Sequence, residues 1–281
     1  MPSANIQGLE VSFLLKGSGP PLLMLSPGGF DATIEAWNIR GVWSSLKPLD
    51  NLAEHFTLIA YDRRECGASG GRVEELTWAL YADQAKALLD HLEIPGALIL
   101  AGCMGCPVAI AFANRYPAAA RALMLHWPVG GYRWRARGYD RFGRHLAFAR
   151  ANGLPGVVAR ARAAGSFWQD AEAGPWASCI AGSPAFADAF LRQDPARYIA
   201  LVAATNRFLH DRYMTPGAEP EQLMAMNMPT LVIPGDDPAH ATSVAHHLRE
   251  LLPDARFCET MPPGQSPELV RRLILDFAAG R

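Results

Sequence analysis

The run Leu98-Ile99-Leu100-Ala101-Gly102-Cys103-Met104-Gly105 restricts what this chain can fold into more than any other stretch. A short, unbroken apolar segment reads as a parallel strand buried on both faces. Small residues then turn the chain sharply, and Val108, Ile110, Ala111 and Phe112 continue at helix-compatible spacing. A strand, a tight turn and a helix with a nucleophilic side chain at the tip form the layout of a nucleophile elbow. Cys103 at that tip faces the N–H groups that open the helix, which lowers a thiol's pKa and favours an anion. The plainer alternative is a buried structural cysteine in a Gly-rich turn, and five residues alone do not separate the two.

The neighbouring segments supply a setting. Leu9 to Lys16 alternates as an edge strand does, and Pro21-Leu22-Leu23-Met24-Leu25 reads as a buried strand running into Ser26-Pro27-Gly28-Gly29-Phe30. Phe56 to Tyr61 is a further strand ending in Asp62-Arg63-Arg64-Glu65-Cys66-Gly67-Ala68-Ser69. Thr77 to Leu92 has apolar residues at helical spacing. Ala122 to Trp127 is a strand stopped by Pro128, and Pro229 to Ile233 is another, ending at Asp236-Asp237. A helix through Leu252, a strand near Ala255 to Thr260 and an amphipathic helix from Pro267 to Ala279 close the chain. Between about Gly130 and Glu221 no strand is legible, and Gly and Pro punctuate what reads as several short helices. Alternating strands and helices predict a mostly parallel central sheet with helices on both faces. Ligands of such sheets sit beyond the carboxyl ends of the strands, where Gly28, Gly29, Asp62, Cys103, His126 and Asp237 all fall.

Composition excludes several function classes. At 281 residues the chain is long for one core, so one domain with a large insertion, or two domains, is expected. A net charge of −1 gives no electrostatic footprint for nucleic acid or an anionic membrane. The short basic-aromatic stretch Arg133-Trp134-Arg135-Ala136-Arg137 reads as a solvated helix surface. No apolar run reaches the ~18 residues that span a bilayer, and the first residues lack a signal-peptide pattern. Five cysteines without regular spacing do not suggest a disulfide framework. The pair Cys103-x-x-Cys106 leaves a redox role and a disulfide open. A cytoplasmic setting fits these features best.

With these residues assembled, the chain resembles the α/β-hydrolase superfamily over about Leu9 to Trp127 and from Met228 onward. Three motifs carry the resemblance. Leu22 to Phe30 looks like the strand and oxyanion loop, with Ser26-Pro27 in place of the usual His-Gly. Asp62 to Ser69 looks like the family's Asp-x-Arg-Gly-x-Gly-x-Ser turn, with Glu65 at its first Gly. Ala101 to Gly105 looks like its elbow, with Cys103 where most members have Ser. The resemblance implies an α/β-hydrolase core over residues 1–128 and 222–281 and a helical cap over residues 129–221. It also implies a catalytic His near Gly264, but Gln265 stands there, and Gln cannot take a proton.

The candidate chemistry is therefore a Cys103 nucleophile, Asp237 as the orienting acid, and an imidazole from elsewhere. Asp236 is the neighbouring alternative to Asp237, whose plainer role is a helix N-cap. His240 follows Asp237 in the nucleophile–acid–His order and is the first choice of base. His126, at the end of the strand after the elbow helix, is the second, and His210 lies in the insertion. His55, His91, His145, His246 and His247 read as surface or helical residues. Gly28, Gly29 and Met104 are expected to supply the oxyanion hole, each donor being worth about 3 kcal/mol of barrier. Phe30, His126, Trp127, Trp168 and His210 are expected around the substrate, while Phe167 and Trp176 line the pocket or form the cap's own core.

These readings predict a hydrolase that acts on a small apolar ester, lactone or thioester through a covalent acyl-enzyme. It would need no cofactor and no metal, and its partner would be a small molecule, with a homodimer left open. A C–C bond-cleaving lyase with an incomplete triad is one alternative. A non-catalytic small-molecule binder on the same scaffold is the other.

Overall fold

Two interleaved sets of apolar side chains, one per face, organise the central sheet of the computed structural model, which describes residues 1–280. Its eight strands are β1 (Ser3–Ile6), β2 (Leu9–Lys16), β3 (Pro21–Leu25), β4 (Thr57–Tyr61), β5 (Ala97–Gly102), β6 (Ala120–His126), β7 (Thr230–Ile233) and β8 (Ala255–Phe257). They lie in the order β1-β2-β4-β3-β5-β6-β7-β8. Only the β1/β2 and β2/β4 pairs are antiparallel.

Because side chains alternate along a strand, Leu22, Met24, Leu58, Ala60, Leu100, Met124 and Ile233 face one layer. Leu23, Leu25, Ile59, Ile99, Ala101, Leu123 and Val232 face the other. The first face is covered by the short helices α1 (Ala36–Ile39), α2 (Trp43–Leu46) and α3 (Pro48–Asn51), together with the C-terminal helix, Pro267–Ala278. Helices α4 (Trp78–His91), α5 (Gly105–Arg115) and Thr242–Leu251 cover the second. This is the α/β-hydrolase architecture that the resemblance implied.

Between β6 and β7 the chain leaves the sheet for a helical insertion. It comprises α6 (Tyr132–Ala164), α7 (Ala177–Gly182), α8 (Pro184–Leu191) and α9 (Pro195–His210), followed by α10 (Pro220–Met224). The two later helices are then α11 (Thr242–Leu251) and α12 (Pro267–Ala278).

The structure departs from the sequence reading in four places. Leu9–Lys16 is not the sheet edge, because Ser3–Ile6 pairs outside it through the two-residue turn Gln7-Gly8. Both turn residues have positive φ, 54° and 74°, as a tight hairpin turn requires. The insertion opens with a helical run of 33 residues, longer than the short helices expected, which breaks at Gly153 (φ 64°, ψ −178°), two residues before Pro155, into two helices meeting at a kink. Trp134, within the stretch expected to be solvated, is buried. His145, expected in a surface-like setting, is fully buried, and its ring nitrogens meet the Glu172 carbonyl at 2.9 Å and the Tyr198 hydroxyl at 2.6 Å.

Candidate active site

The β5–α5 turn holds Cys103 at φ 51°, a left-handed conformation that a non-glycine residue adopts only under constraint. The constraint is local. The Cys103 N–H donates to the His126 carbonyl at 3.2 Å, and the Cys106 N–H donates back to the Cys103 carbonyl at 3.0 Å. Gly105 completes the turn because a Cβ there would lie 2.0 Å from the Leu25 carbonyl oxygen. Cys106 is buried on the first turn of α5, and its thiol donates to the Ala101 and His126 carbonyls. All five cysteines are free, and Cys103 is the half-buried one.

The loop after β7 brings an acid and an imidazole to the elbow. Asp237 Oδ1 accepts from the Ala239 N–H at 2.7 Å, the His240 N–H at 3.1 Å and His240 Nδ1 at 2.8 Å. One carboxylate oxygen therefore folds the turn and fixes the ring together. The bond to the carboxylate puts the proton on Nδ1 and leaves Nε2 as the free end. Nε2 is buried without any hydrogen bond of standard geometry, and Cys103 is the group to which His240 couples most strongly. The tilted Trp127 ring packs against the imidazole at a centroid distance of 5.5 Å. Gly235 permits this crowding, since a Cβ there would lie 2.5 Å from His240 Cβ. Asp236, the alternative acid, is exposed.

The electrostatics follow from this placement. Burial by itself pushes the Cys103 thiol up, but the nearby His240 charge and the Gly28 and Met104 N–H groups outweigh it, leaving the thiol below its ordinary value. Burial by itself favours a neutral His240. The Cys103 thiolate and the Asp237 carboxylate reverse that and raise the ring to about 9. The His240 hydrogen bond holds Asp237 down to about 2 despite partial burial. Both shifts run in the direction of a thiolate–imidazolium pair.

On the other side of Cys103, the β3 loop turns through Gly28 (φ 118°) and Gly29 (φ 56°). The loop is anchored from behind: Arg63 Nη2 donates to the Gly29 carbonyl, and buried Asp62 accepts the Ile34 N–H at 2.8 Å and the Ala68 N–H at 2.7 Å. Glu65, where the resemblance expects glycine, has φ 58° and is buried beside Arg63 at 3.5 Å, with the Tyr81 hydroxyl donating to it at 2.7 Å. Burial raises its carboxyl to about 7, against the pull of Arg63 and Tyr81.

A cavity of about 350 Å³ lies between the elbow and the insertion. It touches the site at Gly29, Met104 and Ala239, and Phe30, Trp134, Phe142, Phe167, Trp168 and His210 form its walls. Phe30, Trp168 and His210 thus stand where a pocket residue was expected. His126 and Trp127 do not: they border a separate cleft with Gln265 behind the loop that carries His240. The His126 ring is buried and held neutral, its pKa pushed down to about 3 by burial and the nearby His240 charge. Only its main chain serves the elbow. His210 is held at about 4, mainly by burial, and its Nδ1 meets Asn206 Oδ1 at 3.0 Å. Trp176 belongs to the insertion's own core.

Gln265 holds the acid loop from below. Its side-chain amide donates to the Pro234 carbonyl at 2.9 Å and the Thr260 carbonyl at 2.8 Å, while Oε1 accepts from Trp127 Nε1 at 2.9 Å. The sequence reading saw only the missing base there. The tying role has no signal in a single sequence, because the Pro234 carbonyl and the Trp127 indole come from distant segments. Among the described residues no group of three or more His, Cys, Asp or Glu could hold a metal. No described helix is long and apolar enough to cross a membrane.

Comparison with known proteins agrees with the fold. The chain is 32% identical over 121 residues, 43% of its length, to an uncharacterized protein of Mycobacterium tuberculosis, and it spans only 33% of that relative. A thermophilic esterase from Thermogutta terrifontis superposes with a TM-score of 0.64 at 20% identity, covering 100% of this chain and 99% of that one. The enol-lactonase of Burkholderia xenovorans does so with a TM-score of 0.62 at 17% identity, covering 99% of this chain and 100% of that one. At such identities the likeness shows the fold alone. The family model for the alpha/beta hydrolase fold matches residues 21–265. With that match over most of the chain, and the sheet, elbow and insertion in place, this protein belongs to the α/β-hydrolase fold family.

Proposed function

We propose that this chain is a cysteine-dependent hydrolase of small, largely apolar esters, lactones or thioesters, with residues 129–221 acting as the cap over its pocket. The observation that carries the reading is the 2.8 Å bond that fixes His240 Nδ1 on Asp237, together with the Cys103 sulfur lying near enough to raise that imidazole. The Cys103 thiolate adds to the substrate carbonyl carbon, and the oxygen takes the charge. The Met104 N–H, with one from Gly28 or Gly29, stabilises that oxyanion. Collapse breaks the bond to the leaving oxygen or sulfur, which takes the proton from His240, and a thioester on Cys103 remains. Neutral His240 then removes a proton from water, whose oxygen attacks the thioester. The acid departs and the thiolate is restored, so the pair ends as it began.

A thiolate needs less help from a base than a hydroxyl does, which suits a site whose imidazole comes from an unusual position. Intact-mass measurement after mixing with a 4-nitrophenyl ester should show one acyl adduct, absent in Cys103→Ala. An adduct of equal yield in that variant would remove Cys103 from the chemistry. Incorporation of one oxygen from ¹⁸O-labelled water into the released acid separates hydrolysis from the C–C bond-cleaving alternative. Stable binding of intact esters without turnover would favour a binding protein.

A further inference from the structure

The cavity wall changes character along its length. Near the elbow it is aromatic: Phe30, Phe142 and Phe167 meet edge to face at centroid distances of 5.1–5.5 Å. At the rim formed by the insertion, α6 sets Arg137, Arg141 and Arg144 against the cavity, at a spacing that shares one helix face. The acidic groups close to this rim are already engaged. Asp140 pairs with Arg144 at 3.2 Å, Asp170 pairs with Arg160 at 2.6 Å, and Asp31 pairs with Arg40. Arg137 and Arg141 form no ion pair among the described residues, and the charges of Asp140 and Asp170 reach Arg141 only from a distance.

Arg141 is also held still. Its Nη1 donates to the Phe167 and Trp168 carbonyls, the latter at 3.1 Å, and its guanidinium lies 5.5 Å and 5.2 Å from the centroids of those two rings. No protein acceptor takes Nε or Nη2. A guanidinium fixed over a cavity with two donors unspent is a ready receptor for a planar carboxylate, and its orientation is already set. Removing this charge from water without an anionic partner is unfavourable, so an anion arriving there gains more than at an ordinary surface arginine.

We infer that the cavity takes a substrate with an apolar middle and a carboxylate at the end away from the scissile carbonyl, docked by Arg141 with Arg137 beside it. This rests on the acyl-transfer reading above and narrows its substrate class.

The kinetic test compares mono(4-nitrophenyl) pimelate with 4-nitrophenyl 7-oxooctanoate, a neutral ester of the same length. A second pair, 4-acetoxybenzoate and 4-acetoxyacetophenone, puts the charge on the leaving side. In the wild type, kcat/KM for the anionic member of one pair should exceed that of the neutral member by about tenfold or more, the scale of a charge-assisted hydrogen bond. The excess should lie in KM. Arg141→Gln should bring the ratio toward one, Arg141→Lys should retain part of it, and Arg137→Gln, at an exposed position without hydrogen bonds, should lower it without loss of fold. A ratio near or below one for both pairs in the wild type overturns the inference, as does a ratio unchanged in both Gln variants. If no ester is turned over, the hydrolase reading has failed, and calorimetric titration with heptanoate and heptanamide decides the inference separately. Tighter binding of heptanoate that weakens in the Gln variants supports it, and equal binding overturns it.

Discussion

Asp237 and His240, three residues apart on one loop, share a 2.8 Å hydrogen bond between Oδ1 and Nδ1. The same carboxylate oxygen accepts two backbone N–H groups of that loop. That carboxylate therefore both folds the turn and holds the imidazole. Its N-cap-like backbone bonds and its role toward the imidazole are one arrangement, not two competing readings.

Replacing the imidazole should silence the thiol. In His240→Gln the burial of Cys103 is no longer offset by a facing positive charge, so the thiol moves up from its lowered position. The thiolate fraction at pH 7 then falls, and iodoacetamide alkylation of Cys103 should slow by about tenfold or more, since each pKa unit is a tenfold change in that fraction. The wild-type alkylation rate should stay high below the ordinary thiol range. A pH–rate profile identical in the two proteins would sever the pair.

Asp237→Asn keeps the size of the side chain and removes its charge. His240 is raised to about 9 partly by that carboxylate, so its pKa should fall and its orienting hydrogen bond weaken. Acylation by an activated ester should drop by about a hundredfold or more, less than the roughly 10⁴-fold lost with the orienting acid of a serine triad, because a thiolate needs less help from its base. Asp236→Asn, at an exposed residue, should change little. Stopped-flow release of 4-nitrophenol checks both.

How much of this could be read from the chain alone depends on whether the information was local. Strands β3, β5 and β7 are apolar runs that name themselves, and the elbow is a contiguous run of small residues around Cys103. His240 was reachable because it follows Asp237 in the chain. Ser3–Ile6 was missed because a four-residue, half-polar strand has no pattern of its own and exists only by pairing with β2. The burial of Trp134 and His145 is tertiary: the first closes on His210 at a ring distance of 4.7 Å and the second on Tyr198 at 5.8 Å. His126 and Trp127 end a strand at the correct edge of the sheet, but their rings face the cleft behind the acid loop. Strand-end position fixes the edge and leaves the side chain's direction open.

Glu65 should give the protein a distinctive acid-side stability profile. Its folded-state pKa of about 7 lies above the ordinary 4.5, so folding favours the protonated form. That contribution is fully present below pH 4.5 and is lost as pH rises through 7, a change of up to about 3 kcal/mol. Glu65→Gln keeps a neutral acceptor for the Tyr81 hydroxyl and should flatten this part of the curve. Urea midpoints measured between pH 4.5 and 8 test it, and an unchanged slope in the variant would mean that Glu65 is ionised throughout.

Restoring histidine at position 265 should not restore anything. An imidazole has two ring nitrogens, whereas Gln265 satisfies the Pro234 and Thr260 carbonyls and the Trp127 indole together. Gln265→His leaves at least one of these without its partner, at a cost of about 1–3 kcal/mol. Denaturant titration should show that loss with no gain in acylation rate.

Housing the proposed acid and base on one loop has a mechanical consequence. In a site whose imidazole comes from the segment after the last strand, sliding of β8 against β7 changes the reach of the proton acceptor. Here both groups ride the same span of backbone, so such sliding carries them as a unit. On the proposed reading the final strand and helix carry no reacting group and act as a brace on that loop, reached through Gln265.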